Sequence, residues 1–130
     1  MVLEQDLRLA LPEEGCALLL GSRQGQGWEL HWVWPCLNRW QPRQERLNRF
    51  AVDPAELVAA QKWARAKGWL LLGAAHSHPQ GEPQPSATDC EWAWEGELML
   101  IWALEAEQWR AWWLEPTPGG LRPRALDLGG

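Results

Sequence analysis

The first third of the chain alternates apolar and polar residues in a way that predicts a β-hairpin. Ala17–Leu20 is a short apolar run, Ser22–Gly27 forms a glycine-rich turn, and Trp28–Val33 alternates with period two. Two such runs separated by a short glycine-containing turn are typical of antiparallel strands. We therefore expect two paired strands with a tight connection.

Four bulky apolar residues of the second predicted strand recur at every other position. They are Trp28, Leu30, Trp32 and Trp34. Side chains at this spacing lie on one face of a strand. Tryptophan is also favoured at protein interfaces, but the regular spacing favours a face packed in the core.

The clearest helix signal follows an irregular loop that contains prolines and arginines. Asp53, Pro54 and Glu56 suit the cap, the first position and the third position of a helix. Gly68 directly after Lys67 supplies a stop. We expect a helix from Pro54 to Lys67, and its inner face comprises Leu57, Ala60 and Ala64.

The second half of the chain predicts a strand, a loop, a helix and further strands. Trp69–Ala75 reads as a buried strand, three prolines break regular structure over Pro79–Pro85, and Ser86 to about Glu95 looks helical. The remaining strands are expected at Leu98–Leu104, Trp109–Leu114 and Leu121–Leu128. This order predicts one α/β or α+β domain, residues 1–130, built on a mixed sheet.

Charge and hydropathy limit the classes of function. The formal net charge of −5 argues against a nucleic-acid-binding face. No apolar run is long enough for a membrane span or a signal peptide, so a cytoplasmic protein is expected. The basic cluster Arg39, Arg43, Arg46 and Arg49 leaves two readings open, a solvated loop or a docking patch for an acidic partner.

Three cysteines, Cys16, Cys36 and Cys90, are widely spaced, and none belongs to a C-x-x-C pair. Such a pattern predicts reduced, buried thiols and gives no support for a thiolate zinc site.

Candidate metal ligands stand at the end of the predicted buried strand. His76 and His78 are two residues apart, and on an extended backbone such side chains point the same way. Both imidazoles can then reach one ion, and neutral imidazole is a standard zinc donor. Taken alone, the pair could also be two unrelated polar residues.

Ser86 and Asp89 follow the proline-rich loop and allow two readings. A serine with an acidic residue three positions later is the ordinary signature of a helix N-terminus. The loop is short, however, and returns this segment close to the histidines. Asp89 could then complete a three-ligand site whose fourth position is left to water, as a catalytic zinc requires.

Two adjacent acids, Glu13 and Glu14, precede the first apolar strand. Acids at the start of a structured segment are usually solvated, and their pattern alone gives neither of them a catalytic role. On residue pattern alone, Glu14 remains one of two equivalent acids.

Together these residues resemble the JAMM (MPN+, or JAB-type) zinc metalloprotease family, in particular its small prokaryotic members. The likeness is carried by Glu14, by His76-Ser77-His78-Pro79 and by Ser86-x-x-Asp89, with the family's spacing between the last two. It implies a curved mixed sheet flanked by helices, of the cytidine-deaminase-like type. It also implies zinc ligands His76, His78 and Asp89, with Glu14 as the acid/base and Ser86 as the oxyanion donor.

The function implied by the resemblance is a zinc metallopeptidase or isopeptidase that is deubiquitinase-like. It would cut after the C-terminal glycine of a ubiquitin-like or sulfur-carrier protein. Because only Met1–Leu11 precede the glutamate segment, the family's N-terminal helix should be short or absent.

Two other functions are considered. A nucleoside deaminase needs H-x-E followed by P-C-x-x-C, which this chain lacks. A catalytically silent MPN-type module that binds a ubiquitin-like partner remains the alternative, although all five motif residues favour an enzyme. The final Gly129-Gly130 resembles the tail of a ubiquitin-like substrate, and a disordered terminus is the simpler reading.

Overall fold

The computed structural model describes residues 2–25, 27–92 and 97–126. The helices are α1 Val2–Arg8, α2 Pro54–Ala66 and α3 Ala87–Trp92, with a 3-10 turn at Arg43–Leu47. The strands are β1 Cys16–Gln24, β2 Gly27–Cys36, β3 Leu70–His78, β4 Leu98–Ala103, β5 Gln108–Thr117 and β6 Gly120–Leu126. The predicted end of the third helix, the last residues of the predicted final strand and the Gly129-Gly130 tail lie outside the described residues.

One six-stranded sheet organises the fold, in the order β2-β1-β3-β4-β5-β6. The β3–β4 pair is parallel and the other four pairs are antiparallel. This mixed sheet flanked by helices confirms the predicted fold class. The parallel pair brings the carboxyl end of β3 beside that of β4, and the predicted metal ligands lie at that end.

Alternating residues of β1 build a core on each face of the sheet. Ala17 and Leu19 pack in the cluster that contains the apolar side of α1, whereas Leu18 and Leu20 pack in the cluster that contains α2. All four side chains are fully buried. Burial of each leucine contributes about 2 kcal/mol, so the period-two pattern of β1 holds the two helices on opposite faces.

Helix α2 begins at the predicted Pro54 and ends at Ala66, one residue before the predicted Lys67, which is its C-cap. The Asp53 carboxylate accepts a hydrogen bond from the Ala55 N–H at 2.9 Å, which caps the first turn. Gly68 adopts a positive φ of 76° after the helix, a conformation that glycine reaches without steric cost. Helix α1 spans seven residues, Val2–Arg8, ahead of the segment that carries Glu14.

The predicted core face of β2 is wrong. Trp28 packs on the α1 side of the sheet and Trp34 on the α2 side, whereas Leu30 and Trp32 are 45% and 51% exposed. The register of β1 with β2 shifts at His31, which has no partner in β1. Such a bulge inverts the alternation beyond it, and β2 is also an edge strand, so its side chains are less covered.

Two smaller findings complete the fold. No helix within the described residues is long and apolar enough to cross a membrane. Cys16, Cys36 and Cys90 are all free thiols, as predicted, although only Cys16 is fully buried.

Candidate metal centre

The two histidines of β3 point to the same side of the sheet, as their spacing predicts. The Nε2 atoms of His76 and His78 lie 3.1 Å apart. His76 is fully buried, and the side chain of His78 is 11% exposed. Two imidazole nitrogens therefore converge on one point at the carboxyl end of the strand.

Asp89 joins the histidines from the first turn of α3. Its Oδ2 lies 3.1 Å from the His76 Nε2 and 3.3 Å from the His78 Nε2. The same Oδ2 accepts a hydrogen bond from the Ser86 N–H at 2.9 Å, and the Asp89 N–H donates to the Ser86 Oγ at 3.0 Å. This is a reciprocal capping box, so the capping reading of these two residues is correct, and the same turn sets Asp89 beside the histidines.

Glu14 lies directly ahead of β1, and the sheet brings it to the same place. Cys16 of β1 pairs with His76 of β3, which sets the segment before Cys16 beside the histidines. Ligand atoms of Glu14, His76, His78 and Asp89 all lie within 4.8 Å of one another. Glu14 is only 2% exposed, and within the described part of the chain its Oε1 has no hydrogen-bond partner.

A hydrogen bond fixes the tautomer of the neutral His78, and an aromatic contact holds the ring of His76. The Nδ1 of His78 lies 2.8 Å from the Glu82 carbonyl oxygen, which can only accept. Nδ1 therefore donates, and in the neutral ring Nε2 keeps its lone pair for the cluster. The His76 ring is stacked on Phe50 at 4.5 Å between centroids, which holds its plane.

Burial and mutual interactions shift the pKa values of these four groups. Burial opposes ionisation of Asp89, but the His76 charge and the hydrogen bonds it accepts bring its pKa well below the ordinary value. Burial lowers the pKa of His76. Burial also acts to lower the pKa of His78, but its bonds to Asp89 and the Glu82 carbonyl raise it overall. Burial, and then the Asp89 charge, raises the pKa of Glu14 to about 9.

The spacing of these atoms suits a small divalent cation. A tetrahedral ion with ligand bonds of about 2.0–2.1 Å holds its ligand atoms about 3.3 Å apart. The three distances among His76 Nε2, His78 Nε2 and Asp89 Oδ2 are 3.1, 3.1 and 3.3 Å. A buried Glu14 oxygen without a partner is also the kind of group that a polar neighbour would satisfy. The cluster could therefore bind a metal ion.

An apolar cleft of about 250 Å³ opens beside the cluster, with Asp89 in its wall. Its apolar side chains are Trp40, Phe50, Val52, Leu57 and Met99. The sequence did not predict this cleft, because Trp40 and Phe50 come from segments without regular structure. An apolar wall beside the cluster can exclude water and hold an extended peptide.

Buried Asn38 is a second feature that the sequence did not predict. Its side chain makes four hydrogen bonds to backbone groups around Glu14. The same tripeptide, Leu-Asn-Arg, occurs again at Asn48, which is exposed. Because the immediate neighbours of the two asparagines are identical, the tripeptide itself did not distinguish Asn38.

Comparison with known proteins agrees with this geometry. The sequence model of the family described as prokaryotic homologues of the JAB domain matches residues 3–115. A desampylase from Haloferax volcanii is 42% identical over 53 residues, which are 40% of this chain and 38% of the desampylase. The match thus spans under half the length of that curated relative.

Two solved structures resemble the whole fold. A protein from Desulfitobacterium hafniense, known from its solution structure, has a TM-score of 0.78 and 32% identity, covering 95% of this chain and 83% of that one. A protein from Salinibacter ruber has a TM-score of 0.63 and 30% identity, covering 95% and 84%. With a family match over most of its length, this chain belongs to the prokaryotic homologues of the JAB domain.

Proposed function

We propose that this protein is a zinc-dependent peptidase or isopeptidase that cuts after the C-terminal glycine of a ubiquitin-like or sulfur-carrier protein. In this proposal His76, His78 and Asp89 hold the zinc, Glu14 is the general acid/base and Ser86 is the oxyanion donor. One observation carries the proposal. Two imidazole nitrogens and one carboxylate oxygen converge within 3.3 Å, with a buried carboxylate in the same cluster.

The donor set favours zinc over harder cations. Two neutral imidazole nitrogens and one carboxylate oxygen suit zinc, whereas magnesium and calcium prefer oxygen ligands alone. Three protein ligands also leave one position open, as in catalytic zinc sites. When bound, zinc would lower the pKa of a coordinated water toward about 7 and polarise the scissile carbonyl.

In this proposal Glu14 moves the proton. Its Oε1 is buried and has no hydrogen-bond partner among the described residues, so it can accept the proton of the attacking water. A divalent cation among the neighbouring ligands would also lower its raised pKa, because a positive charge favours the carboxylate. The same carboxyl group could then pass the proton to the leaving amine.

Ser86 would stabilise the charge that develops on the carbonyl oxygen. Its Oγ uses a lone pair to accept from the Asp89 N–H, so the hydroxyl proton stays available as a donor. Donors of this kind typically contribute about 3 kcal/mol to transition-state stabilisation. The capping bond would thus hold the serine oxygen beside the ligand Asp89.

The substrate class rests on the family and on one relative. Membership of the JAB family and the partial similarity to a desampylase support a substrate of the ubiquitin-like kind. A diglycine tail has no bulky side chains, so it could lie against the cluster while apolar neighbours contact the cleft beside Phe50. The silent binding module remains the alternative, and turnover distinguishes the two.

Metal content and turnover, measured on matched variants, test the proposal. Wild-type protein reconstituted with zinc should hold about one ion per chain, from the single three-ligand site. Glu14→Gln should keep the ion and lose turnover of a ubiquitin-like protein extended past its Gly-Gly. His78→Ala should lose both, because two remaining ligands cannot hold the ion tightly.

Two residues of the chain serve as controls. His31 is exposed, hydrogen-bonds to the Ser22 hydroxyl and stacks on Trp69 among the described residues, so His31→Ala should keep zinc and turnover. Glu13 precedes Glu14 and pairs with Arg43 at the surface, so Glu13→Gln should also be active. A wild-type chain that binds no zinc would overturn the proposal, and one that binds zinc without turnover would favour the silent module.

A further inference from the structure

Asn38 holds the backbone of the proposed base, although it lies outside the family motif. Its Nδ2 donates to the Glu14 carbonyl oxygen at 3.0 Å and to the Arg49 carbonyl oxygen at 2.8 Å. Its Oδ1 accepts from the Trp40 N–H at 3.1 Å and from the Ala51 N–H at 3.2 Å. An asparagine amide has two donor hydrogens and two acceptor lone pairs. The four hydrogen bonds use all of them.

These partners determine the orientation of the amide. A carbonyl oxygen can only accept, so the nitrogen must face Glu14 and Arg49, and the oxygen must face the two N–H groups. Asn38 is 9% exposed, so water does not compete strongly for these bonds. A buried polar group with every bond satisfied holds its neighbours rigidly.

The remaining backbone groups of Glu14 and those of the next residue, Gly15, are hydrogen-bonded as well. The Glu14 N–H donates to the Arg46 carbonyl oxygen at 2.8 Å. On the opposite side, the Gly15 N–H donates to the Ser77 Oγ at 2.8 Å, and the Gly15 carbonyl accepts from the Ser77 N–H at 3.0 Å. The loop side and the strand side therefore clamp the backbone that carries the Glu14 carboxylate.

The strand side of this clamp belongs to the segment that carries the histidines, since Ser77 stands between them. Asn38 and the Arg46 carbonyl supply the loop side. The clamp therefore holds the Glu14 backbone beside the strand segment that carries the histidines. No hydrogen bond between Asn38 and a ligand is found in the described residues.

We propose that Asn38 is a positioning residue, whose side-chain amide fixes the backbone of Glu14 so that the carboxylate stays in reach of the His76, His78 and Asp89 cluster. The inference rests on the proposed role of Glu14 as the base. The same amide orders the segment that carries Trp40 and Ala51, so the cleft wall and the base share one anchor. A misplacement of about 1 Å can lower a rate about 100-fold.

Asn38→Asp is the sharpest variant, because it keeps the size of the side chain and removes both donors. The new carboxylate would face the carbonyl oxygens of Glu14 and Arg49. We expect kcat per zinc-loaded chain to fall about 100-fold, with zinc content unchanged and with the loss in kcat larger than any rise in KM. Asn48→Asp is the matched control, because it changes the same tripeptide at an exposed site, and it should retain wild-type kcat.

Amide hydrogen exchange gives a readout that does not depend on activity. In Asn38→Asp the Glu14 and Gly15 amides should exchange at least about tenfold faster, while amides of β4 keep wild-type protection. If the negative charge of Asn38→Asp prevents folding, Asn38→Ala removes the donors without adding a charge. It should show the same faster exchange at Glu14 and Gly15.

Unchanged kcat, or unchanged exchange at Glu14 and Gly15, in a folded Asn38 variant would overturn the inference. A parallel loss of kcat, zinc and folded fraction in both Asn38→Asp and Asn38→Ala would also overturn it, since that result indicates a structural role alone. Absence of turnover in the wild-type chain would instead count against the proposed function, and the exchange measurement would still decide whether the clamp exists.

Discussion

Replacing Glu14 by glutamine should stabilise the metal-free protein, and increasingly so as the pH rises. Burial, and then the Asp89 charge, raises the pKa of Glu14 from 4.5 to about 9 in the folded protein. In the unfolded chain the carboxyl group returns to its ordinary pKa. Between these two pH values the folded protein holds a proton that the unfolded chain has released, so stability falls as the pH rises.

The size of the effect follows from this shift in pKa. Each pH unit above about 4.5 costs the folded state about 1.4 kcal/mol, until the pH reaches about 9. At pH 7.5 the cost is therefore about 4 kcal/mol, a large share of the 5–15 kcal/mol that holds a typical domain folded. Glutamine cannot ionise, so Glu14→Gln lacks this cost.

Urea unfolding of chelator-treated protein at several pH values between 5 and 8 measures the difference. The gap in unfolding free energy between Glu14→Gln and wild type should widen by about 1 kcal/mol per pH unit or slightly more. The titrations of His76, His78 and Asp89 occur in both proteins and largely cancel in the difference. Glu13→Gln, at the partly exposed neighbouring position, should show no such gap.

Zinc should reduce the difference in unfolding free energy between Glu14→Gln and wild type. A cation beside Glu14 favours its carboxylate and so reduces the cost of ionisation. Parallel stability curves for wild type and Glu14→Gln across this pH range would refute the reasoning. They would mean that Glu14 ionises in the fold as readily as in the unfolded chain.

Two further predictions concern the cap of α3 and the close approach of two strands. Ser86→Ala should cost about 1 kcal/mol of stability through the lost cap and lower kcat by about 100-fold or more through the lost donor. Ser86→Thr should restore much of both, and wild-type kcat in Ser86→Ala would remove serine from the mechanism. In Gly73→Ala a Cβ would stand 1.8 Å from the Leu98 carbonyl oxygen, so we expect thermal melts to show a loss above about 4 kcal/mol. Gly119→Ala, where a Cβ meets no atom within 4 Å, is the control and should melt like wild type.

Patterns within one element were sufficient to predict much of the fold. The cap at Asp53 and the stop at Gly68 determined the bounds of α2, because those signals act through neighbouring backbone groups. The faces of β2 were not predictable, because the bulge at His31 arises from pairing with β1. Periodicity within β2 carries no information about that partner.

The site residues also differ in whether a local sequence pattern predicts them. His76 and His78 converge because both belong to one strand, and Asp89 reaches them through a short loop, so the sequence indicates these three. Glu14 joins them through the pairing of β1 with β3, which no local pattern reports, and only the family resemblance singled it out. Asn38 had neither a local signal nor a place in the motif.

The products of one reaction test the central claim most directly. A ubiquitin-like sulfur carrier extended past its Gly-Gly is incubated with the zinc-loaded chain, and the intact masses of the products are measured with and without a chelator. We predict one new protein product that ends at the second glycine, formed with zinc, lost on chelation and absent with Glu14→Gln. Cleavage at another bond, or the same product from Glu14→Gln or from chelated protein, would contradict the account.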